Sequence, residues 1–162
     1  LLSRRQRQMC IRDSQNTVLV INRRDYSQAE VEDWASCGNN LSNIKERIET
    51  HYFVVAVNQQ SQIVGFSSIT PQGYLHSMFV HKDFQGEGIA TMLLEEIERY
   101  AITAGITRIT SEVSLTARPF FEKKGYVVEK EQKRKANQLS LTNFLMAKEV
   151  AFLEYYNKKV TD

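Results

Sequence analysis

The 162-residue sequence has few residues of the kinds that mark a disulfide-rich, membrane-spanning or metal-binding protein. Its two cysteines, Cys10 and Cys37, are too few for a disulfide framework. Its histidines, His51, His76 and His81, show no metal-ligand spacing with cysteines or paired carboxylates. No apolar run approaches the ~20 residues needed to cross a bilayer, and no signal peptide has the required central region. We therefore expect a cytoplasmic protein that has no membrane partner.

The sequence also has little net charge once its first residues are set apart. Residues 1–14 hold four arginines and one aspartate, so their removal lowers Lys plus Arg from 21 to 17 and Asp plus Glu from 19 to 18. The formal charge then falls from +2 to −1. An argument for attraction to nucleic acid or to membranes would rest mainly on this one segment.

Residues 1–14 resemble translated sequencing adapter, because strings of the R-R-Q-R-Q-M-C-I-R-D type recur at the ends of proteins predicted from raw assemblies. We therefore interpret them as a non-native segment and set them outside the fold. A basic arm for nucleic acid and an Arg-rich targeting peptide are the alternatives. The rest of the chain, with a hydrophobic content of 42% overall, suits one domain at residues 15–149 and a C-terminal tail at residues 150–162.

The most informative stretch is a short glycine-containing loop between an apolar strand and a helix. Leu75–Val80 has the composition of a buried strand, and apolar residues recur at spacings of three and four from Ile89 onward. Gly86 and Gly88 let the main chain approach a ligand, and the first turn of a helix has unpaired amide groups. Such a loop favours an anion, although a tight turn without a ligand is the alternative. Its spacing matches neither the nucleoside triphosphate loop nor the dinucleotide fingerprint.

Two blocks resemble signatures of the GNAT superfamily of N-acetyltransferases. The spacing Gln85-x-x-Gly88-x-Ala90 resembles the family's pyrophosphate-binding motif Q/R-x-x-G-x-G/A. The block from Ser114 to Tyr126 resembles the family's later signature, in which a helix ends in E-K-x-G-[FY]. Within this block the pattern A-R-P-F-F-E-K-x-G-[FY], followed by L-T-N-F-x-M, resembles that of small bacterial proteins of the YafP-like subgroup.

The resemblance covers roughly residues 15–149, is strongest from Val64 onward, and implies an α+β fold. This fold has a mixed, mostly antiparallel sheet with helices on both faces. The resemblance implies a helix at residues 17–21, where β-branched residues alone favour a strand. We expect the family's first strand and the start of its first helix to be missing, or replaced by residues 1–14. Local patterns predict further helices at 27–34, from 40 or 42 to 49, and at 116–123. They predict strands at 52–57, 62–69, 74–80, 106–113, 126–133 and 139–146.

The resemblance also implies acetyl-CoA as co-substrate. In the family, main-chain groups near Phe79 and Val80 bind the pantetheine arm, and the amides that follow bind the pyrophosphate. A main-chain amide near Val80 would donate to the thioester carbonyl oxygen. The implied cofactor-binding residues are Phe79, Val80, Gln85, Gly86, Glu87, Gly88, Ile89, Ala90 and Thr91.

The sequence leaves the groups that move protons open, and we take His76, Glu112 and Ser114 as candidates. His76, in the pattern L-H-x-x-x-V-H, resembles the proton relay of some arylalkylamine-acetylating members, and a histidine hydrogen-bonded at a strand surface is the alternative. Glu112 is the other candidate base, with a paired or solvated carboxylate as its alternative. Ser114 stands where many members have an asparagine that contacts the carrier. Phe121 stands where many have a tyrosine that protonates the leaving thiolate, and a phenyl ring has no such proton.

We expect an acetyl-CoA-dependent N-acetyltransferase acting on a primary amine of a small molecule or a protein. A catalytically weak acyl-CoA-binding module is the second interpretation, supported by Phe121 and by the missing strand. A nucleic-acid-binding protein that uses the arginines of residues 1–14 and the run Lys130–Lys135 is the third. The alternative for that run is a solvated edge strand. A homodimer through the C-terminal strand is a further expectation.

Overall fold

The computed structural model of the chain describes residues 2–37, 41–151 and Val160. Its helices are α1 (Arg4–Val20), α2 (Gln28–Ser36), α3 (Leu41–Thr50), α4 (Ile89–Thr103) and α5 (Arg118–Lys123). Its strands are β1 (Tyr52–Val57), β2 (Ile63–Ile69), β3 (Leu75–Val80), β4 (Arg108–Ser114), β5 (Val127–Lys135) and β6 (Ser140–Glu149). This order of elements confirms the α+β fold expected from the sequence.

The strands form two three-stranded antiparallel sheets, ordered β1-β2-β3 and β4-β6-β5. In the first sheet the central strand β2 is buried along its whole length. In the second sheet the edge strand β5 is exposed at nearly every residue. Its charged side chains are therefore mostly exposed to solvent, as the edge-strand interpretation of Lys130–Lys135 expects.

The two sheets meet where β3 and β4 begin. The Thr110 amide donates to the Gly73 carbonyl at 3.0 Å, and Tyr74 forms a parallel bridge with Thr110. The Ser111 hydroxyl donates to the Leu75 carbonyl at 2.8 Å. Beyond this point no ladder of hydrogen bonds joins β3 to β4 in the described part of the chain. The C-terminal halves of the two strands therefore border a gap.

Gly73 makes the contact between the sheets sterically feasible. Its φ of +94° lies in the left-handed region, and a Cβ atom there would lie 2.5 Å from the carbonyl oxygen of Arg108. A side chain would strain the backbone and push β4 away from β3. The position that joins the two sheets thus requires glycine.

Helices cover both faces of the first sheet, as expected. On one face Ala56 packs in a buried cluster with Leu93 of α4. On the other face Phe66 packs with Cys10 of α1 and Ile44 of α3. Full burial of a side chain such as Phe66 or Leu93 contributes about 1.5–3 kcal/mol, so these contacts hold the helices firmly on the sheet.

Helix α1 includes most of the segment that we set outside the fold. It begins with a capping box between Ser3 and Gln6 and continues to Val20, and Cys10 within it is only 1% exposed. The structure therefore differs from the expectation that residues 1–14 lie outside the fold. It agrees with the alternative that they replace the start of the first helix. Their adapter-like origin stays a prediction.

Tyr26 fastens the N-terminal helices to the second sheet. Its hydroxyl donates to the Thr142 carbonyl of β6 at 2.6 Å and accepts from the Leu115 amide at 2.9 Å. Its ring packs edge-on against Trp34 of α2 at 5.6 Å between centroids. The N-terminal helices are therefore tied to β6 and to the segment between β4 and α5.

Asp33 of α2 provides a second tie, to the turn between β5 and β6. Its carboxylate accepts hydrogen bonds of 2.9–3.1 Å from the amides of Asn137, Gln138 and Leu139. Desolvation by itself would raise the pKa of Asp33, but these three donors outweigh it and lower the pKa. The carboxylate is therefore held in its charged form where it anchors the turn.

Most predicted elements are found, with bounds shifted by a few residues. The helix implied at residues 17–21 is confirmed to Val20, because burial of Thr17 and Val18 outweighs their β propensity. Val150, assigned to the tail from the sequence, is buried, and its amide donates to the Thr107 carbonyl at 2.8 Å. Residues 152–159 of the predicted tail lie outside the described residues. No helix in the described ranges has the length and apolar composition to span a membrane.

The junction at Gly73 predicts a large effect of adding one methyl group. We expect Gly73→Ala to lower the free energy of unfolding by about 1–2 kcal/mol through left-handed strain and about 1–3 kcal/mol more through overpacking. Gly105→Ala is a matched control, because Gly105 has φ +79° and nothing within 4 Å of a Cβ atom. Urea unfolding measures both, and equal losses in the two variants would contradict the role of Gly73.

Candidate active site

A cleft of about 930 Å³ occupies the gap between β3 and β4. Side chains of α1, α2 and α3 line one wall, and the start of α5 and part of the second sheet line the other. The loop after β3 and the first turn of α4 close one end. Ligand-binding clefts commonly measure ~300–1,000 Å³, so this cleft has the volume for an elongated molecule and a small second ligand.

The loop between β3 and α4 presents main-chain amides to the cleft. Gly86 and Gly88 have φ values of +75° and +80°, and a Cβ atom on either would have no neighbour within 4 Å. Gly88 is the N-cap of α4 and no side chain caps this helix, so the amides of the first turn lack partners within it. The Gln85 side-chain amide folds back and donates to the Val80 carbonyl at 2.8 Å. These groups can bind an anion.

The amide of Val80 faces the gap. The next amide, that of His81, donates to the Val64 carbonyl of β2 at 2.8 Å. Because successive peptide groups of a strand point to opposite edges, the Val80 N–H points toward β4. The Val80 carbonyl on that edge already accepts from the Thr17 hydroxyl at 3.0 Å. An N–H in this position can polarise a carbonyl group that enters the gap.

His76 lies further back along β3, at an irregularity in the strand. Leu75 and Ser77 pair with neighbouring residues of β2, so His76 between them is the extra residue of a β-bulge. The His76 ring lines the cleft, with its centroid 5.8 Å from that of Tyr74 and 5.5 Å from that of His51. Two histidines and a tyrosine therefore gather at the end of the cleft away from the glycine loop.

Both imidazoles are held neutral at this end. Although His76 faces the open cleft, partial desolvation lowers its pKa to about 4, with smaller contributions from the charges of Arg47 and His51. Desolvation and the charge of Arg47 also lower the pKa of His51, against the opposing charge of Glu46. His76 is therefore unprotonated near neutral pH and free to accept a proton.

The other catalytic candidates are engaged in hydrogen bonds. A carboxylate oxygen of Glu112 accepts from the Arg134 guanidinium at 3.0 Å, which is the paired arrangement named as its alternative. The Ser114 hydroxyl accepts from the Ala117 amide at 3.0 Å and keeps its own proton to donate. Phe121 is 3% exposed and packs edge-on against neighbouring aromatic rings.

The cleft brings together all the predicted site residues except Glu87, which is exposed and outside the lining. Sequence reasoning missed three groups near this cleft. Arg47 lines it together with His76, whereas His51 lies behind the lining and has a buried ring nitrogen without a hydrogen-bond partner in the described chain. The buried hydroxyl of Thr116 also has no hydrogen-bond partner in the described residues. Arg47 lies on α3, and His51 directly follows this helix with its amide donating to the Arg47 carbonyl at 2.8 Å. The four-residue spacing therefore places the two side chains on one side and could have indicated a shared surface.

The sequence of this chain is similar to those of known acetyltransferases. The sequence profile of the acetyltransferase (GNAT) domain matches residues 22–149. The uncharacterized N-acetyltransferase YafP of Escherichia coli (strain K12) is 30% identical over 122 residues, or 75% of each protein.

Solved structures show the same similarity. A GCN5-related N-acetyltransferase from Rhodopseudomonas palustris has a TM-score of 0.86 and 25% identity over 92% of each chain. The PaiA N-acetyltransferase of Thermoplasma acidophilum, solved in complex with coenzyme A, has a TM-score of 0.73 and 18% identity over 91% of this chain and 95% of that chain.

The charge of Arg47 predicts a change that NMR can measure. We expect Arg47→Gln to raise the pKa of His76 from about 4 toward the ordinary histidine value, because a neighbouring positive charge that disfavours the protonated ring is removed. Lys45→Gln is the control, since Lys45 lies on α3 with its side chain 63% exposed and beside Glu49. A His76 titration that is the same in wild type and Arg47→Gln would show that Arg47 does not act on this ring.

Proposed function

This chain belongs to the GNAT family of acetyltransferases, and we propose that it transfers the acetyl group of acetyl-CoA to a primary amine. The observation that carries the proposal is the cleft between β3 and β4. It has an anion-binding loop at one end, the Val80 amide along its edge, and neutral His76 at the other end. A held thioester, a donor for its carbonyl oxygen and a proton acceptor are what acetyl transfer requires.

In this proposal the glycine loop binds the pyrophosphate of acetyl-CoA through the amides of residues 85–91. The pantetheine arm lies between β3 and β4 beside Phe79, and the thioester carbonyl accepts a hydrogen bond from the Val80 N–H. The coenzyme A bound to PaiA supports an acyl-CoA as co-substrate. Residues of the N-terminal helices then cover the donor and leave the end near His76 for the acceptor.

The proton on the attacking nitrogen passes to His76. A pKa of about 4 makes its imidazole too weak a base to deprotonate a free ammonium group efficiently. The nitrogen becomes much more acidic once its bond to the thioester carbon has formed, and the neutral imidazole accepts the proton at that stage. The C–S bond then breaks and CoA leaves as its thiolate. Because the pKa of a thiol lies near ~8.5, the thiolate can leave without being protonated, and the lack of a proton on Phe121 does not prevent this step.

Binding of acetyl-CoA tests the donor site directly. Gly88→Trp fills the open space in front of α4, and we expect it to weaken acetyl-CoA binding by more than about 100-fold, because at least two charge-assisted hydrogen bonds are lost. Gly105→Trp carries a similar backbone strain at φ +79°, also in open space, but away from the cleft lining. Calorimetry compares the two variants, and equal affinities would contradict the pyrophosphate site.

Steady-state release of CoA tests the proton acceptor. We expect His76→Ala to lower kcat/KM for the amine by about 100-fold, with the KM for acetyl-CoA unchanged, because general base catalysis contributes factors of this size. Glu112→Gln keeps a hydrogen-bonding group near Arg134, and we expect a smaller loss. A large loss in Glu112→Gln together with an active His76→Ala would reassign the base to Glu112.

A further inference from the structure

Arg47 is a cation of the cleft whose charge has no partner in the described chain. Its guanidinium forms no ion pair or side-chain hydrogen bond with any residue of 2–37 or 41–151. Arg134, which also lines the cleft, is paired with Glu112. Glu46 lies close enough to act on Arg47 electrostatically but forms no ion pair with it. Arg47 therefore keeps its hydrogen-bond donors for a ligand.

The position of Arg47 makes an unpaired charge unfavourable. The residue is half-buried, and desolvation lowers its pKa despite the opposing charges nearby. A guanidinium removed from water is stabilised when a carboxylate or phosphate supplies the missing partner. His51, one helical turn further along, has a buried ring nitrogen that also lacks a partner in the described ranges. Arg47 and His51, one helical turn apart, thus both have polar groups without a partner in the described part of the chain.

Arg47 lies far along β3 from the loop that is proposed to bind the phosphates of acetyl-CoA. Arg47 acts electrostatically on His76 and Tyr74, at the start of the strand. The glycine loop follows Val80, and the four residues from His76 to Val80 span ~13 Å at the usual rise per strand residue. An anion at Arg47 therefore belongs to the acceptor and not to the pyrophosphate of acetyl-CoA.

We propose that Arg47 binds a carboxylate of the acceptor, so that the acceptor is an amino acid or a similar small amine with a carboxylate a few bonds from its nitrogen. The planar guanidinium matches a carboxylate with two parallel hydrogen bonds. The rings of His51 and His76 lie 5.5 Å apart between centroids, so a carboxylate beside Arg47 and His51 leaves the amine within reach of His76. The inference rests on the proposed acetyl transfer and narrows its acceptor.

The test compares amino acids with their carboxamides, which have the same amine and side chain but no carboxylate charge. We expect wild-type kcat/KM to be at least about tenfold higher for the acids, and Arg47→Gln to lose this preference without a change in the KM for acetyl-CoA. The amine of a carboxamide is less basic and so more often unprotonated, which means that amine reactivity cannot produce the expected preference. Lys45→Gln, on the exposed side of α3, serves as the control and keeps the wild-type preference.

Equal use of acids and carboxamides by the wild type, or an unchanged preference in Arg47→Gln, would overturn the carboxylate site. If the enzyme used only amines without a carboxylate, the carboxylate site would also be overturned, but the acetyltransferase proposal would remain. Absence of acetyl-CoA binding in calorimetry would instead overturn the proposed function.

An NMR titration tests the carboxylate site without turnover. Protein saturated with CoA, which has no acetyl group to transfer, is titrated with an amino acid and then with its carboxamide. A carboxylate bound at Arg47 offsets the charge that lowers the pKa of His51, so we expect the amino acid to raise this pKa and the carboxamide not to raise it. The His76 ring also senses the positively charged amine of either compound and is therefore not the reporter. Identical His51 titrations with both compounds would overturn the site.

Discussion

The contact between Gly73 and β4 determines where this protein can bind a ligand. Two antiparallel sheets touch through a main-chain hydrogen bond from Thr110 and a side-chain hydrogen bond from Ser111, both at the start of β3 and β4. Beyond that contact each strand has peptide groups that face the other across a gap and not a neighbouring strand. Peptide groups that are shielded from water and have no hydrogen-bond partner cost free energy. A polar, elongated molecule in the gap can supply the missing hydrogen bonds.

The two ends of the gap differ in the kind of polarity that they offer. At the glycine loop the donors are main-chain amides held by φ values above +70° at Gly86 and Gly88, and they need no charged side chain. At the other end the polarity comes from side chains, with Arg47 close to two imidazoles that it helps to keep neutral. The Val80 amide lies between the two ends. A donor with phosphates and an acceptor with a carboxylate can therefore occupy one cleft without competing for the same groups.

The glycine loop could be predicted from the sequence because its backbone geometry demands particular residues at fixed spacing. The pairing of β3 with β4, and hence the width of the gap, depends on residues far apart in the chain and has no local signal. For the same reason Arg47 and His51 were missed, since only the folded chain brings them close to His76 of β3. The low pKa of His76 follows from desolvation and neighbouring charges that a sequence does not display. The capping box of Ser3 and Gln6, in contrast, was a local signal for the start of α1 that the composition of residues 1–14 obscured.

The most direct test of this account is a crystal structure of the protein with acetyl-CoA. We expect the pyrophosphate at the amides of residues 85–91, the pantetheine arm between β3 and β4, and the thioester oxygen about 3 Å from the Val80 nitrogen. The contact of Gly73 with Thr110 should be unchanged. Acetyl-CoA bound outside the gap, or a gap closed by hydrogen bonds between β3 and β4, would contradict the account.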